Sequence, residues 1–333
     1  MECRCKGRTP KCLSLTIVLK QSATDTVNLS VLFMSLPYHR ILQSFPKESL
    51  SLAFAYGSGV FKQLGHKNIR DNMMDFIFVV RDPVEWHKEN LSLNSKHYSF
   101  LRYGGHHFLA NMQENWGARV YFNTLVNTQN GLLKYGVISR QSLITDLLDW
   151  DTLYVAGRLH KPVLIIQQDA VDEELKNSLK INVYSAIHTA LLMLPESFSE
   201  KQLFEMLAGL SYTGDFRMMV GEDQNKVFNI VSAQTQEFRK LYSPVLKDLN
   251  EYVIIDHIRG TGEQDTSPPA RLYHLSMLPK RLQLKLLKEW NKDGRSRDME
   301  DVLRAAAHDP DSSDLIIKGS NSYLVILILK TDQ

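Results

Sequence analysis

The sequence predicts an α+β protein with two regions of different character. In the first region, short apolar runs rich in β-branched and aromatic residues alternate with stretches of helical periodicity, which is typical of a sheet covered by helices. In the second region, which begins near Asp172, apolar residues recur at helical spacing almost throughout. The chain has 333 residues, which is long enough for two domains with additional tails.

The first region begins with a predicted helix that ends near Pro46. Residues 50–56 form the first strand, which leads into a glycine turn, and residues 73–80 form a buried strand that carries one acid, Asp75. The remaining predicted elements are, in order, a helix over 84–91, strands over 119–123 and 133–139, a helix over 142–150, and strands over 152–156 and 163–166.

The second region is predicted to be mainly helical. Helices are expected over residues 175–194, 199–210 with Ser199 as its cap, and 226–242, followed by a loop over 259–269 and charged helices over 278–308. The predicted divisions are a disordered or targeting N-terminus (1–36), a sheet-containing domain (37–170), a helical, winged-helix-like domain (171–258), and a loop with charged helices and an atypical tail (259–333).

Composition and charge exclude several classes of protein. The hydrophobic fraction of 44% and the charged fraction of 23% are those of an ordinary globular protein, and the net charge of +2 gives no indication of a nucleic-acid partner. The three cysteines all lie within the first dozen residues, which excludes a disulfide framework. No apolar run approaches the roughly 20 residues of a membrane-spanning helix. The first twenty residues are basic and read either as a mitochondrial transit peptide or as a disordered N-terminus.

The residues with the clearest chemical meaning surround the glycine turn at 56–59. Backbone N–H groups at a turn before a helix bind phosphate, and Gly57 lets the backbone approach phosphate oxygens closely. Ser58 adds a hydroxyl donor, and Lys62 lies one helical turn later, facing the same phosphates. Asp75 lies within an apolar strand, where burying its carboxylate is costly unless the carboxylate has a partner, and a metal ion is the natural one. A lone glycine turn is more often a plain loop, but this order and spacing favour nucleotidyl transfer.

These residues carry a resemblance to a known superfamily and, within it, to one family. The run Tyr56–Gln63 followed by Met74–Ile77 resembles the polymerase-β-type nucleotidyltransferase signature. Between residues 38 and 311 the chain more closely resembles the mitochondrial phosphatidate cytidylyltransferases of the Tam/Mmp family. The runs that carry this resemblance are Asp82–His87, His97–Ser99, Lys134–Ser139, Leu153–Pro162, Leu194–Phe198 and Gly209–Arg217. Residues 1–35 and 315–333 do not resemble the family, whose basic, membrane-associating C-terminal segment is replaced or missing.

The resemblance implies a fold and a reaction. It implies that residues 37–170 form a polymerase-β-like nucleotidyltransferase domain with a mixed sheet. It also implies transfer from CTP to phosphatidate, giving CDP-diacylglycerol and pyrophosphate, with Mg²⁺, or alternatively Mn²⁺ or Co²⁺. The enzyme would act peripherally on the matrix side of the mitochondrial inner membrane, in contact with anionic lipid, and supply cardiolipin synthesis. The alternatives are transfer to another acceptor and a non-catalytic scaffold for mitochondrial import and assembly. The sequence does not decide the oligomeric state.

The chain departs from the superfamily signature at one position. A second acid is typical two residues after the first, and Ile77 stands there. The missing carboxylate could come from Asp82 or Glu85 downstream, from Asp71 upstream, or from Asp146 or Asp151 beside a later strand. Asp75 is therefore the first predicted metal ligand and Asp82 the second candidate.

Further candidates are basic or aromatic residues in the matching runs. Arg158 and Lys161 bracket a turn and, with Asp75 and Lys62, are the predicted catalytic residues, although a solvated basic turn is the alternative. His87 and Arg217 are candidates for binding the substrate phosphate; a structural histidine and an ion pair with Asp215 are the alternatives. The predicted nucleotide-binding residues are Gly57, Ser58, Gly59, Lys134 and Tyr135, the last of which could equally be buried packing.

Overall fold

The computed structural model describes residues 38–61, 73–128, 131–212 and 225–309. A five-stranded sheet consists of β1 (Leu50–Tyr56), β2 (Met74–Val80), β3 (Tyr121–Thr128), β4 (Gly131–Ser139) and β5 (Leu164–Gln168). Its strand order is β3-β4-β2-β1-β5. The sheet is mixed, because β2 and β4 are parallel whereas the other neighbours are antiparallel.

Both faces of this sheet are buried, which explains why β2 is an almost unbroken apolar run. Phe78 faces one core, where Trp86 packs beside it, and Ile77 faces the other core, which also contains Leu143. The helices of this region are a turn over residues 38–42, α1 (Pro83–Asn94), α2 (Gly105–Asn115), α3 (Arg140–Asp149) and α4 (Val155–Arg158), with 3₁₀ helices at Ser95–His97 and Phe100–Gly104. Side chains on β2 therefore alternate between two separate apolar cores.

The second region is mainly helical and contains a small sheet. Its helices are α5 (Glu173–Met193), α6 (Glu200–Gly209), α7 (Lys226–Asp248), α8 (Pro268–Ser276), α9 (Lys280–Trp290) and α10 (Met299–His308), with a 3₁₀ helix at Asn291–Asp293. Its strands are β6 (Ser197–Ser199), β7 (Val253–Asp256) and β8 (Thr261–Gln264), in the order β6-β8-β7. Ser199 caps α6, as predicted, in a reciprocal capping box with Gln202.

One apolar core joins the two regions. Ile138 of β4, Ile187 of α5, Phe204 of α6 and Phe238 of α7 belong to the same buried cluster. The α+β class with a mixed sheet is confirmed, whereas the nucleotidyltransferase fold and the division of the chain into domains remain predictions. Because the core is shared, α6 and α7 lie close enough to the sheet to contribute to a common site.

The strand predicted over residues 152–156 is wrong. The buried Asp146 carboxylate accepts hydrogen bonds from the backbone N–H groups of Thr152, Leu153, Val155 and Ala156, at 2.7–3.1 Å, and from the Thr152 hydroxyl. The backbone therefore wraps around one carboxylate instead of pairing with a strand, and it leads into α4. Asp146 is consequently a structural residue, not the second metal ligand.

The loop predicted over residues 259–269 is also partly wrong. Gly260, with φ of +69°, closes a hairpin between β7 and β8, and Phe198 of β6 pairs with Gly262 on the other side of β8. The strands were missed because each has four residues or fewer, too few to show a clear period. Within the described ranges, no helix is long and apolar enough to cross a membrane.

Candidate active site

The glycine turn lies where β1 ends and β2 begins. Gly57 has φ of +80°, and its carbonyl accepts hydrogen bonds from the N–H groups of Val60 and Phe61. At Gly59, a Cβ atom would lie only 2.7 Å from the Met73 carbonyl oxygen, so the turn packs directly on the chain entering β2. Both glycines are thus required by geometry, and the turn is held against the strand that carries Asp75.

We predict that Gly57→Ala lowers kcat/KM by about tenfold to a hundredfold and the free energy of unfolding by about 1 kcal/mol. The positive φ accounts for the loss of stability. The loss of activity arises because the new Cβ would lie 3.1 Å from Asp75 Oδ2 and displace that carboxylate. Gly260→Ala is the matched control, because Gly260 also has a positive φ but has open space around it. Steady-state kinetics and urea unfolding of both variants test this; equal activity in the two would contradict it.

Asp75 lies near the start of β2, beside the glycine turn and between β1 and β4. It lies opposite Tyr56 on β1 and Lys134 on β4, so the three side chains share one face of the sheet. Burial raises the pKa of the Asp75 carboxyl, and the positive charges of Lys134 and Arg158 oppose that shift. A partly desolvated carboxylate among cations is characteristic of a functional site.

Four cationic side chains line the same cavity as this carboxylate: Lys134, Arg158, Lys161 and Lys226. The Arg158 guanidinium stacks over the Tyr56 ring, with its carbon 4.4 Å from the ring centroid. Lys226, at the start of α7, was not predicted from the sequence. A single lysine at a helix start carries no signal of its own, and only the packing of α7 against the first region brings it here.

Lys161 is almost fully buried, with 6% of its surface exposed. Its ammonium donates hydrogen bonds to the carbonyls of Gly157 and Ala208 and to the Ser211 hydroxyl, and it lies 4.6 Å from the centroid of the Tyr212 ring. Burial, together with the charges of Arg158 and Lys226, holds the pKa of Lys161 well below its ordinary value. No carboxylate among the described residues is paired with Lys161, so its positive charge would be neutralised by an anionic ligand.

These groups line one cavity of about 260 Å³, just below the usual size range of ligand pockets. The glycine turn, Asp75 and Lys134 form one side, and Lys226 and its neighbours on α7 form another. The wall is completed by the side chains of Phe61, Tyr154, Pro162, Tyr212, Ile230 and Gln234. Positive charge beside a glycine turn, with apolar surface nearby, suits a nucleoside triphosphate.

Two of the residues predicted from the sequence lie away from this cavity. Tyr135 faces the opposite side of the sheet, fully buried, where its hydroxyl accepts a hydrogen bond from Asn90; the alternation of β4 separates it from Lys134. His87 is also fully buried and bonds Tyr98 and Gln113, so it is a structural histidine. Neither side chain can contact the nucleotide or the substrate phosphate here.

Asp82 does not share a site with Asp75. It caps α1 by accepting hydrogen bonds from the N–H groups of Val84 and Glu85, at the far end of β2. The seven residues of β2 separate the two acids by roughly 20 Å. The proposed metal role of Asp82 is therefore corrected to that of a helix cap. Lys62, Asp71 and Arg217 lie outside the described residues.

The position where the signature has its second acid lies in an apolar environment in the fold. Ile77 is buried beside Gly136, facing the same side of the sheet as Asp75 but deeper in the core. Asp151 is engaged by Arg119 and Arg281. In the part of the chain that the structure describes, no three His, Cys, Asp or Glu residues are grouped to hold a metal. Mg²⁺ is commonly bound by only one or two protein carboxylates, with substrate phosphates and water as its other ligands. Asp75, beside the Gly57 turn, provides one such carboxylate.

The chain is similar to proteins of one known family over most of its length. Residues 38–325 match the profile of a family described as mitochondrial phosphatidate cytidylyltransferase. The match extends past residue 311 and includes part of the tail that was expected not to resemble the family. Among proteins with that same name, those of Xenopus laevis and Danio rerio are 48% and 47% identical to this chain over 281 and 289 residues. These alignments cover 84% and 86% of this chain and 82% and 85% of the relatives. A Drosophila melanogaster relative is 45% identical over 270 residues, covering 75% of this chain and 79% of its own length.

Proposed function

The chain belongs to the family of mitochondrial phosphatidate cytidylyltransferases, and we propose that its cationic cavity transfers the cytidylyl group of CTP to phosphatidate. The observation that carries this proposal is the joining of the Gly57 turn, Asp75 and four cations in one cavity. The turn and cations suit a triphosphate, and a lipid phosphate would be the acceptor. CDP-diacylglycerol and pyrophosphate are the products.

The transfer needs positioning and charge neutralisation more than acid–base chemistry. A phosphate oxygen of phosphatidate forms a bond to the α-phosphorus of CTP, while the bond from that phosphorus to the oxygen bridging to the β-phosphorus breaks. The electron pair leaves with pyrophosphate. Because the lipid phosphate is already ionised at neutral pH, no general base has to remove a proton. Arg158, Lys161 and Lys226 would bind the phosphates and stabilise the charge on the leaving group.

We also infer that the reaction uses Mg²⁺, with Asp75 as its protein ligand. The Asp75 carboxylate faces the turn that would hold the phosphates, and the described donor set suits an ion that completes its shell with substrate oxygens and water. When bound, the ion would neutralise charge on the phosphates during transfer. Activity is expected to disappear when the divalent cation is chelated and to return when Mg²⁺ is added; full activity in excess chelator would contradict the metal requirement.

Lys161 provides a prediction about pH. In the free enzyme its pKa lies well below the ordinary value, so it loses its proton as the pH rises through that lowered pKa. A bound triphosphate raises the pKa again, and CTP binding should therefore take up a proton at a pH above the lowered pKa of Lys161 and above the phosphate pKa of about 6, where the triphosphate itself does not titrate. Calorimetric titration with CTP in buffers of different ionisation enthalpy measures the uptake. Lys161→Met should abolish it, and Lys285→Met, outside the cavity, should not; identical uptake in all three would contradict the role of Lys161.

A turnover assay separates this function from its alternatives. Purified protein is given phosphatidate, a protein acceptor or an RNA end, each with CTP or ATP. We expect transfer from CTP to phosphatidate alone. Transfer from ATP to RNA or protein would replace this proposal with another nucleotidyltransferase, and no transfer to any acceptor would favour a scaffold.

We propose that the enzyme works on the matrix side of the mitochondrial inner membrane, in peripheral contact with anionic lipid, and supplies cardiolipin synthesis. Phe100 and Tyr103 support such contact, since they are 78% and 80% exposed on one face of a 3₁₀ turn, beside Arg102. No acid occurs in residues 95–113. Sedimentation with vesicles tests this: binding to anionic but not to neutral vesicles is expected, and equal binding to both would contradict the electrostatic contact.

A further inference from the structure

Helix α7 presents a stripe of three residues to the cavity. Lys226, Ile230 and Gln234 are spaced four residues apart, so they lie one above another on the same helix face, and all three line the cavity. The stripe offers a cation, then an apolar surface, then an amide. This sequence of properties parallels a nucleotide, in which a charged phosphate chain leads through the sugar to a flat base with a polar edge.

Gln234 is the unusual member of the stripe. Only 7% of its surface is exposed, and its side-chain amide has no hydrogen-bond partner among the residues that the structure describes. Its backbone, with φ of −126° and ψ of 20°, interrupts the helix at this point. The amide therefore faces the open space of the cavity, and an unusual backbone conformation inside a long helix is often associated with a functional site. Both observations favour a ligand that forms hydrogen bonds with the Gln234 amide.

We propose that Gln234 binds the polar edge of the cytosine base, with its carbonyl oxygen accepting a hydrogen bond from the exocyclic amino group. The inference rests on the proposed function. The amide is uncharged, so it adds nothing to neutralising phosphate, for which four cations are already present. It can, however, both accept from the amino group and donate to the adjacent ring nitrogen, as a bidentate partner. Ile230, one turn earlier, supplies apolar surface where the sugar joins the base.

A chemical cycle tests the contact directly. Binding of CTP is compared by calorimetric titration with binding of a triphosphate whose base, 2-pyrimidinone, lacks the amino group. The wild-type protein should bind CTP about tenfold more tightly than the analogue, because the analogue leaves the buried carbonyl of Gln234 unpaired. Gln234→Leu should bind the two equally. Gln236→Leu is the matched control, since Gln236 is an exposed glutamine two residues away on the same helix, and it should retain the preference.

The outcomes that overturn the proposal are distinct from those that overturn the proposed function. Equal binding of CTP and the analogue by the wild-type protein, or an undiminished preference in Gln234→Leu, would refute the base contact. If Gln234→Leu raises the KM for phosphatidate and leaves CTP binding unchanged, Gln234 contacts the lipid, and the base contact is also refuted. If the preference follows Gln234 but no lipid product forms, the base contact stands and the proposed acceptor fails.

Discussion

Replacing Asp75 by Asn is expected to lower kcat by about a thousandfold or more, while the protein remains as stable as the wild type or becomes slightly more stable. Asn has nearly the same shape but no charge, so it cannot neutralise a bound cation or hold it against the phosphates. Stability should not fall, because burial already disfavours the charged form of this carboxyl, as its raised pKa indicates. Steady-state turnover and thermal unfolding measure the two effects.

Asp82→Asn is the control for this change. Asn is as good a helix cap as Asp, so both stability and turnover should match the wild type. A large loss of turnover in Asp82→Asn, or a loss of less than about tenfold in Asp75→Asn, would show that the metal-binding carboxylate has been placed wrongly.

Replacing Asp146 by Ala is expected to lower the free energy of unfolding by at least about 3 kcal/mol. Four buried backbone N–H groups and one hydroxyl would lose their acceptor at once. The same loss would release the segment that positions Arg158 and Lys161, so turnover should fall with stability. Urea unfolding and kinetics on the same preparation measure both.

Asp298→Ala provides the comparison for Asp146. Asp298 also accepts a backbone hydrogen bond, from Asp301 at the start of α10, but it is an exposed cap worth about 1 kcal/mol. Its loss should leave turnover unchanged. A loss of stability in Asp146→Ala no larger than that in Asp298→Ala would mean that water replaces the carboxylate, and that the loop does not depend on it.

Much of the fold could be predicted from the sequence wherever a local pattern was strong. The β1 strand was predicted with the bounds it has, because an apolar run ends there at a glycine turn, and Ser199 was recognised as the cap of α6. The strand predicted over 152–156 is wrong because β-branched and aromatic residues in the segment favour a strand, whereas the acid that binds its backbone N–H groups lies six residues upstream. Strand propensity reflects only residues that are close in sequence, so it cannot account for a tertiary contact such as that with Asp146.

The cavity was predictable only in part, for a similar reason. The sequence places Gly57 and Asp75 next to each other because consecutive strands pair, and the structure brings Lys134, Arg158 and Lys161 to them. The prediction for Tyr135 rests on its being adjacent to Lys134, although neighbouring residues on a strand face opposite sides of the sheet. Lys226 and Gln234 were missed because they come from a helix that follows more than 150 residues after the turn.

The most direct test of the proposed reaction follows the phosphorus atoms of CTP. CTP labelled at the α-phosphorus, or separately at the γ-phosphorus, is incubated with phosphatidate, Mg²⁺ and either the wild-type protein or Asp75→Asn. We expect the α label in a lipid product and the γ label in pyrophosphate, in equal amounts, from the wild-type protein only. Release of the γ label as inorganic phosphate without a labelled lipid, or equal lipid labelling by Asp75→Asn, would contradict the assignment of this cavity as the site of cytidylyl transfer.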